Sequence, residues 1–124
     1  MGPVEPSDPH SPVGLRHVHV TETELPAPEP KPTSRSNQLE ATLDVWAAGT
    51  LSTGVWECGP GEFTADRSAN TEVCQIISGY GTVTGEDGTA ADIGPGSLLV
   101  LPRGWRGTWV VRETIRKSFV IVDG

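Results

Sequence analysis

Gly54-Val55-Trp56-Glu57-Cys58-Gly59-Pro60-Gly61 opens a stretch that passes through Glu72-Val73-Cys74-Gln75-Ile76-Ile77-Ser78-Gly79. It closes with Gly94-Pro95-Gly96-Ser97-Leu98-Leu99-Val100-Leu101-Pro102-Arg103-Gly104-Trp105. Between residues 54 and 109 short apolar runs alternate with Gly/Pro punctuation, the pattern of a closed antiparallel barrel of short strands. Upstream, residues 43–46 and 52–58 read as strands around an Ala-Ala-Gly turn, and residues 63–67 as a third. Residues 72–78 make a fourth. Residues 80–84 meet 90–93 across Gly85-Glu86-Asp87-Gly88, a hairpin turn with Gly where a positive φ is needed. Strands at 97–101, 107–112 and 115–122 complete the set. No amphipathic helix of useful length is visible, so the expectation is an all-β sandwich or barrel.

Further outward the composition changes. Eight of the eleven prolines precede position 33, and every Trp and Phe follows position 45, so the core belongs to the C-terminal two-thirds. Residues 1–14 are Pro-rich and polar and read as a flexible tail. Residues 15–37 read as an N-terminal strand, with Val18 and Val20 on one face of 15–25, followed by a polyproline-like connector. Residues 38–124 are the barrel. A chain of 124 residues suits one domain. The formal net charge of −7 argues against nucleic acid or an anionic membrane surface as partner. No apolar run is long enough to span a membrane, and no secretory signal is visible. Two cysteines are no disulfide framework, so a reduced, cytoplasmic protein is expected, with a Cys58–Cys74 bond left open.

The blocks at 54–61, 72–79 and 102–109, with Arg116-Lys117, resemble the cupin superfamily of jelly-roll barrels (double-stranded β-helices). The chain is most similar to the small single-domain branch related to (S)-ureidoglycine aminohydrolases and ethanolamine-utilisation cupins. The resemblance covers residues 40–122. Metal-binding cupins carry Gly, five residues, His-x-His, three or four residues, Glu, six residues, Gly. Here Glu72 and Gly79 fit, whereas Arg67 and Ala69 stand at the two histidine positions, counted from Gly61. The second block reads Gly, five residues, Pro-x-Gly, two residues, His. Gly96, Pro102 and Gly104 fit it, and Gly107 takes the histidine position. One carboxylate does not make a first-row metal site, so no metal and no cofactor are expected. His17-x-His19 lacks the flanking Gly and Glu of that block and reads as a solvated pair, and His10 lies in the tail.

Strand alternation gives a provisional interior. With Glu72 inward, Cys74 and Ile76 follow it, and Val73, Gln75 and Ile77 face out. Ile115, Lys117, Phe119 and Ile121 share one face, so Lys117 must snorkel, find a carboxylate or lose its charge. With Gly107 at the ligand position, Trp105 and Trp109 would flank the vacated space. The candidate catalytic set is Glu72, Lys117, Arg67 and Glu57. The two cations would replace the metal's charge, and a glutamate would act as general acid or base. The same groups equally fit a satisfied internal ion pair. Trp56, Cys74, Tyr80, Trp105, Trp109 and Phe119 are the candidate substrate pocket. Cys74 lies beside cations but has no histidine base in the predicted barrel, so it reads, like Cys58, as a small buried hydrophobe.

The expected function is a metal-independent small-molecule-binding cupin: a lyase, isomerase, cyclase or hydrolase acting on a small polar molecule. Similarity to aminohydrolase-type cupins implies a nitrogen-containing or carboxylate substrate. The alternative is a non-catalytic ligand-binding or dimerising module. A homodimer through outer strands is expected, with residues 15–25 able to exchange between protomers.

Overall fold

Side chains that alternate between apolar and polar need a sheet with one covered face, and every regular element in residues 13–124, which the computed structural model describes, is a strand. The strands are β1 (Glu29–Pro30), β2 (Leu39–Ala48), β3 (Leu51–Cys58), β4 (Gly61–Asp66), β5 (Asn70–Gly85), β6 (Ala90–Ile93), β7 (Leu98–Leu101) and β8 (Arg106–Asp123). All pair antiparallel. The long β5 and β8 lie side by side from Asn70↔Asp123 to Gly85↔Gly107. Their ends serve different walls. One wall joins β1, β2, β3, the C-terminal half of β8, the N-terminal half of β5 and β7. The other joins β4, the N-terminal half of β8, the C-terminal half of β5 and β6. This is the expected jelly-roll architecture.

The expected strands at 72–78 and 80–84 are one continuous strand, as are those at 107–112 and 115–122. Register shifts at Ile76/Ser78, Ser78/Tyr80 and Tyr80/Gly81 let β5 turn from one wall to the other. They also invert its parity: Glu72, Cys74 and Ile76 face in before the bend, and Gly81, Val83 and Gly85 after it. Gly79 at φ 91° sits in that bend, where a Cβ would lie 2.2 Å from the Thr114 carbonyl oxygen. Gly88 at φ 87° closes the β5–β6 turn as its sequence predicts. The interior holds Trp56, Cys58, Phe63, Cys74, Ile76, Val83, Ile93, Leu101, Trp109, Val111, Ile115 and Phe119. A buried large apolar side chain contributes about 1.5–3 kcal/mol, so this cluster is the main support of the barrel.

The N-terminal strand expected at 15–25 is not formed. Residues 15–28 carry turns and irregular backbone, and ladder pairing begins with Glu29–Pro30, against Leu39 and Glu40. The amides of Glu22 and Thr23 both donate to the His19 carbonyl, closing a turn across the alternating segment. Pro26, Pro28 and Pro30 have no N–H to offer a ladder. The segment is tied down by a side chain: Arg116 Nη1 donates to the carbonyls of Val20 (2.9 Å) and Thr23 (3.0 Å). Most of the expected tail, residues 1–12 with His10, lies outside the described residues. No helix among the described residues is long and apolar enough to cross a membrane.

Candidate functional site

Three elements bring charge into the barrel. Glu72 from β5 and Lys117 from β8 sit on inward positions, and Arg67 follows β4. Glu72 is 1% exposed. Its Oε2 accepts from Lys117 Nζ at 2.8 Å and its Oε1 from Arg67 Nη2 at 2.9 Å. Arg67 is fixed by its own backbone, whose N–H donates to the Trp105 carbonyl while its carbonyl accepts from the Gly104 amide, each at 2.8 Å. Its Nη1 donates to Asn70 Oδ1 at 3.2 Å. Its Nε is buried with no hydrogen-bond partner among the described residues.

Aromatic rings complete the setting. Lys117 Nζ lies 4.3 Å from the Trp56 ring centre and 4.6 Å from that of Trp109, both within cation–π range. Phe63 stacks on Trp109 at 5.6 Å, and Trp56 meets both rings edge-on. A second ammonium, Lys31, stands 4.4 Å from the Phe63 ring and pairs with Glu40 at 3.0 Å. Trp56 Nε1 also donates to Glu40, at 2.9 Å. Two lysine–glutamate pairs thus border one aromatic cluster.

These groups line a cavity of about 450 Å³. Its walls add Thr33, Thr42, Ser52 and Thr64, with Phe119 and Ile121 as apolar surface. Lys31 and Thr33 come from the connector, which is held against β4: Thr64 donates to the Thr33 carbonyl and Arg35 to that of Glu62. Sequence reading missed Lys31, Glu40 and Phe63. The connector lysine amid prolines was the one visible sign, since a connector need carry no charge.

Of the expected residues, Glu72, Lys117, Arg67, Trp56, Trp109 and Phe119 meet at the cavity. The other four do not line it. Glu57 alternates with Trp56 and Cys58, so it faces outward and pairs with Arg116 at 2.9 Å. Tyr80 is 51% exposed because the β5 bend inverts its parity. Trp105 precedes β8 and lies over Gly107, where a Cβ would come within 2.5 Å of the indole. The Thr84 carbonyl oxygen would lie closer still, at 2.2 Å, so backbone and indole together restrict position 107 to glycine. Cys74 is buried behind Glu72, and burial pushes its thiol up to about 11 against the opposing pull of Lys117. Cys58, also buried, rises to about 11 for the same reason, and both thiols are free. Protonated, enclosed thiols are poor nucleophiles.

The donor set does not suit a first-row metal. Both Glu72 oxygens are held by cations, and Arg67, at the position the resemblance would give to a histidine, brings a guanidinium, which cannot ligate a metal. Among the described residues no three His, Cys, Asp or Glu side chains converge. What the arrangement offers is fixed positive charge, a close Lys117–Glu72 ion pair, and space lined by polar as well as apolar residues.

Residues 45–119 match the family model described as the EutQ-like cupin domain. Solved structures agree with the fold. EutQ of Clostridium difficile superposes with a TM-score of 0.62 at 20% identity, over 70% of this chain and 64% of that one. Ectoine synthase of P. lautus gives 0.64 at 17%, over 68% of this chain and 64% of that one. A candidate mannose-6-phosphate isomerase of Ralstonia eutropha gives 0.67 at 17%, over 89% of this chain and all (100%) of that one. The chain therefore spans just under two-thirds of the EutQ and ectoine synthase structures. No curated protein matches it.

Proposed function

The chain belongs to the EutQ-like cupin family, and we propose that it is a small-molecule-binding cupin that works without a metal. One observation carries the reading: the carboxylate that other cupins give to a metal is clamped by Lys117 and Arg67 on the cavity wall. As an enzyme it is a lyase, isomerase, cyclase or hydrolase, in which Arg67 holds the substrate and Lys117 and Glu72 move a proton at 2.8 Å separation. Cupin relatives that bind small molecules support the substrate class in its broad form. The test pairs metal analysis with a thermal-shift screen of small metabolites, run with and without chelator. Sub-stoichiometric metal and chelator-insensitive hits are expected, while stoichiometric Mn, Fe, Ni or Zn overturns the reading.

A dimerising role has its own support. Val73, Val100 and Val120 stand in register across β7, β5 and β8 on the outward face, each at least 37% exposed. Such a row suits pairing with a second copy. Sedimentation should give a dimer that Val120→Glu disrupts. The proposed compartment is the cytoplasm, in keeping with two free thiols.

A further inference from the structure

Arg67 presents a contradiction that a ligand resolves. Its Nη groups are used by Asn70 and Glu72, yet its Nε is buried without an acceptor. A buried donor left unpaired is a liability of the kind native structures retain at binding sites. Beside it, Lys117 is enclosed by two indoles and makes its hydrogen bond with Glu72, although an ammonium has three donors. The floor thus holds two cations against one carboxylate. The other acids of the lining are occupied or lie outward. Glu40 takes Lys31 and Trp56, and exposed Asp66 takes Ser68 and Arg106. Asp44 stays exposed. Thr33, Thr42, Ser52 and Thr64 also line the cavity.

Resting on the metal-free pocket reading, we propose that the ligand is a small hydroxylated carboxylate. Its acid group accepts from Lys117 Nζ and, after a small turn of the side chain that brings the enclosed Nε to the cavity, from Arg67, while its hydroxyl-bearing body lies along the threonine and serine walls. Net positive charge at the floor and Asp44 outside orient the acid inward. Charge-assisted hydrogen bonds are roughly twice as strong as neutral ones, so the acid should bind about tenfold or more tighter than its neutral counterpart.

The experiment compares glycerate with glycerol and gluconate with glucose, by tryptophan fluorescence and by the Nε–H resonances of arginine in nitrogen-15-labelled protein. The acids are expected to quench Trp56 and Trp109 saturably and to move one arginine Nε–H peak, absent from Arg67→Lys. Glycerol and glucose should do so at least tenfold more weakly. Arg67→Lys keeps a positive partner for Glu72 but lacks the Nε donor, so the acid preference should collapse with the protein still folded. Equal binding of acids and neutral bodies overturns the carboxylate class, and so does an Nε–H peak indifferent to acid. Chelation and metal analysis decide the metal-free reading separately, so either can fail alone.

Discussion

Neighbouring residues on the same two strands place like chemistry in opposite surroundings. Trp56 is in register with Lys117 and Glu57 with Arg116, yet the first pair faces in and the second out. Inside, Lys117 meets Glu72 among indoles with almost no solvent contact. Outside, Arg116 bridges Glu57 and the N-terminal segment at a half-open surface. The difference teaches that ion-pair geometry alone does not set an ion pair's importance. Desolvation does, because a charge stripped of water has no substitute partner when its own is removed.

The strongest test of that contrast is Glu72→Gln, which leaves Lys117 and Arg67 enclosed and uncompensated. A loss of about 3–5 kcal/mol is expected from denaturant midpoints. A loss as small as that of an outer pair would erase the distinction between the faces. Next come the interior thiols. Folding raises both from an ordinary value of 9.0 to about 11, so the folded state holds its protons longer than the unfolded one. Stability from this source is intact below pH 9 and is lost as pH climbs from 9 to 11, by about 2–3 kcal/mol per thiol. Replacing Cys74 with Ala should flatten part of that fall, and an unchanged alkaline limb would contradict it.

On the outer face, Arg116→Ala should cost about 1–2 kcal/mol and expose residues 15–28 to limited proteolysis. Protection equal to the parent protein would mean that the segment is held by something other than the arginine. Smallest is Arg112→Ala, which removes contacts with exposed Asp92 and with Thr82 and should move the midpoint by no more than about 0.5 kcal/mol.

Much of the barrel was readable because the Gly/Pro turns and the two-residue alternation are local signals. Alternation on 72–78 put Glu72 and Cys74 inside, and the lost histidine position led to Arg67. What escaped depended on tertiary partners. The bulges of β5 carry Tyr80 to the surface, which a uniform period does not reveal. Trp105 belongs to the turn ahead of β8, so counting strand parity from Gly107 misplaced it. The segment 15–25 alternates well, but the carbonyls of Val20 and Thr23 go to Arg116 and a turn at His19 interrupts it before the prolines at 26, 28 and 30. Lys31 reaches the cavity only because the connector pairs with β4, a contact between residues far from any motif.

The shared ladder of β5 and β8 has a kinetic consequence. The β2–β3 and β5–β6 hairpins can zip from sequence neighbours within microseconds, whereas joining β3 to β8 must close the chain from Cys58 to Ile115. Lys117 therefore meets Trp56 only in that late, slow closure, on the millisecond-to-second scale of non-local β folds. Until then Glu72 and Lys117 keep their water. A ligand that needs both has nothing to hold in the half-folded chain, so it should slow unfolding while leaving the rate of folding unchanged.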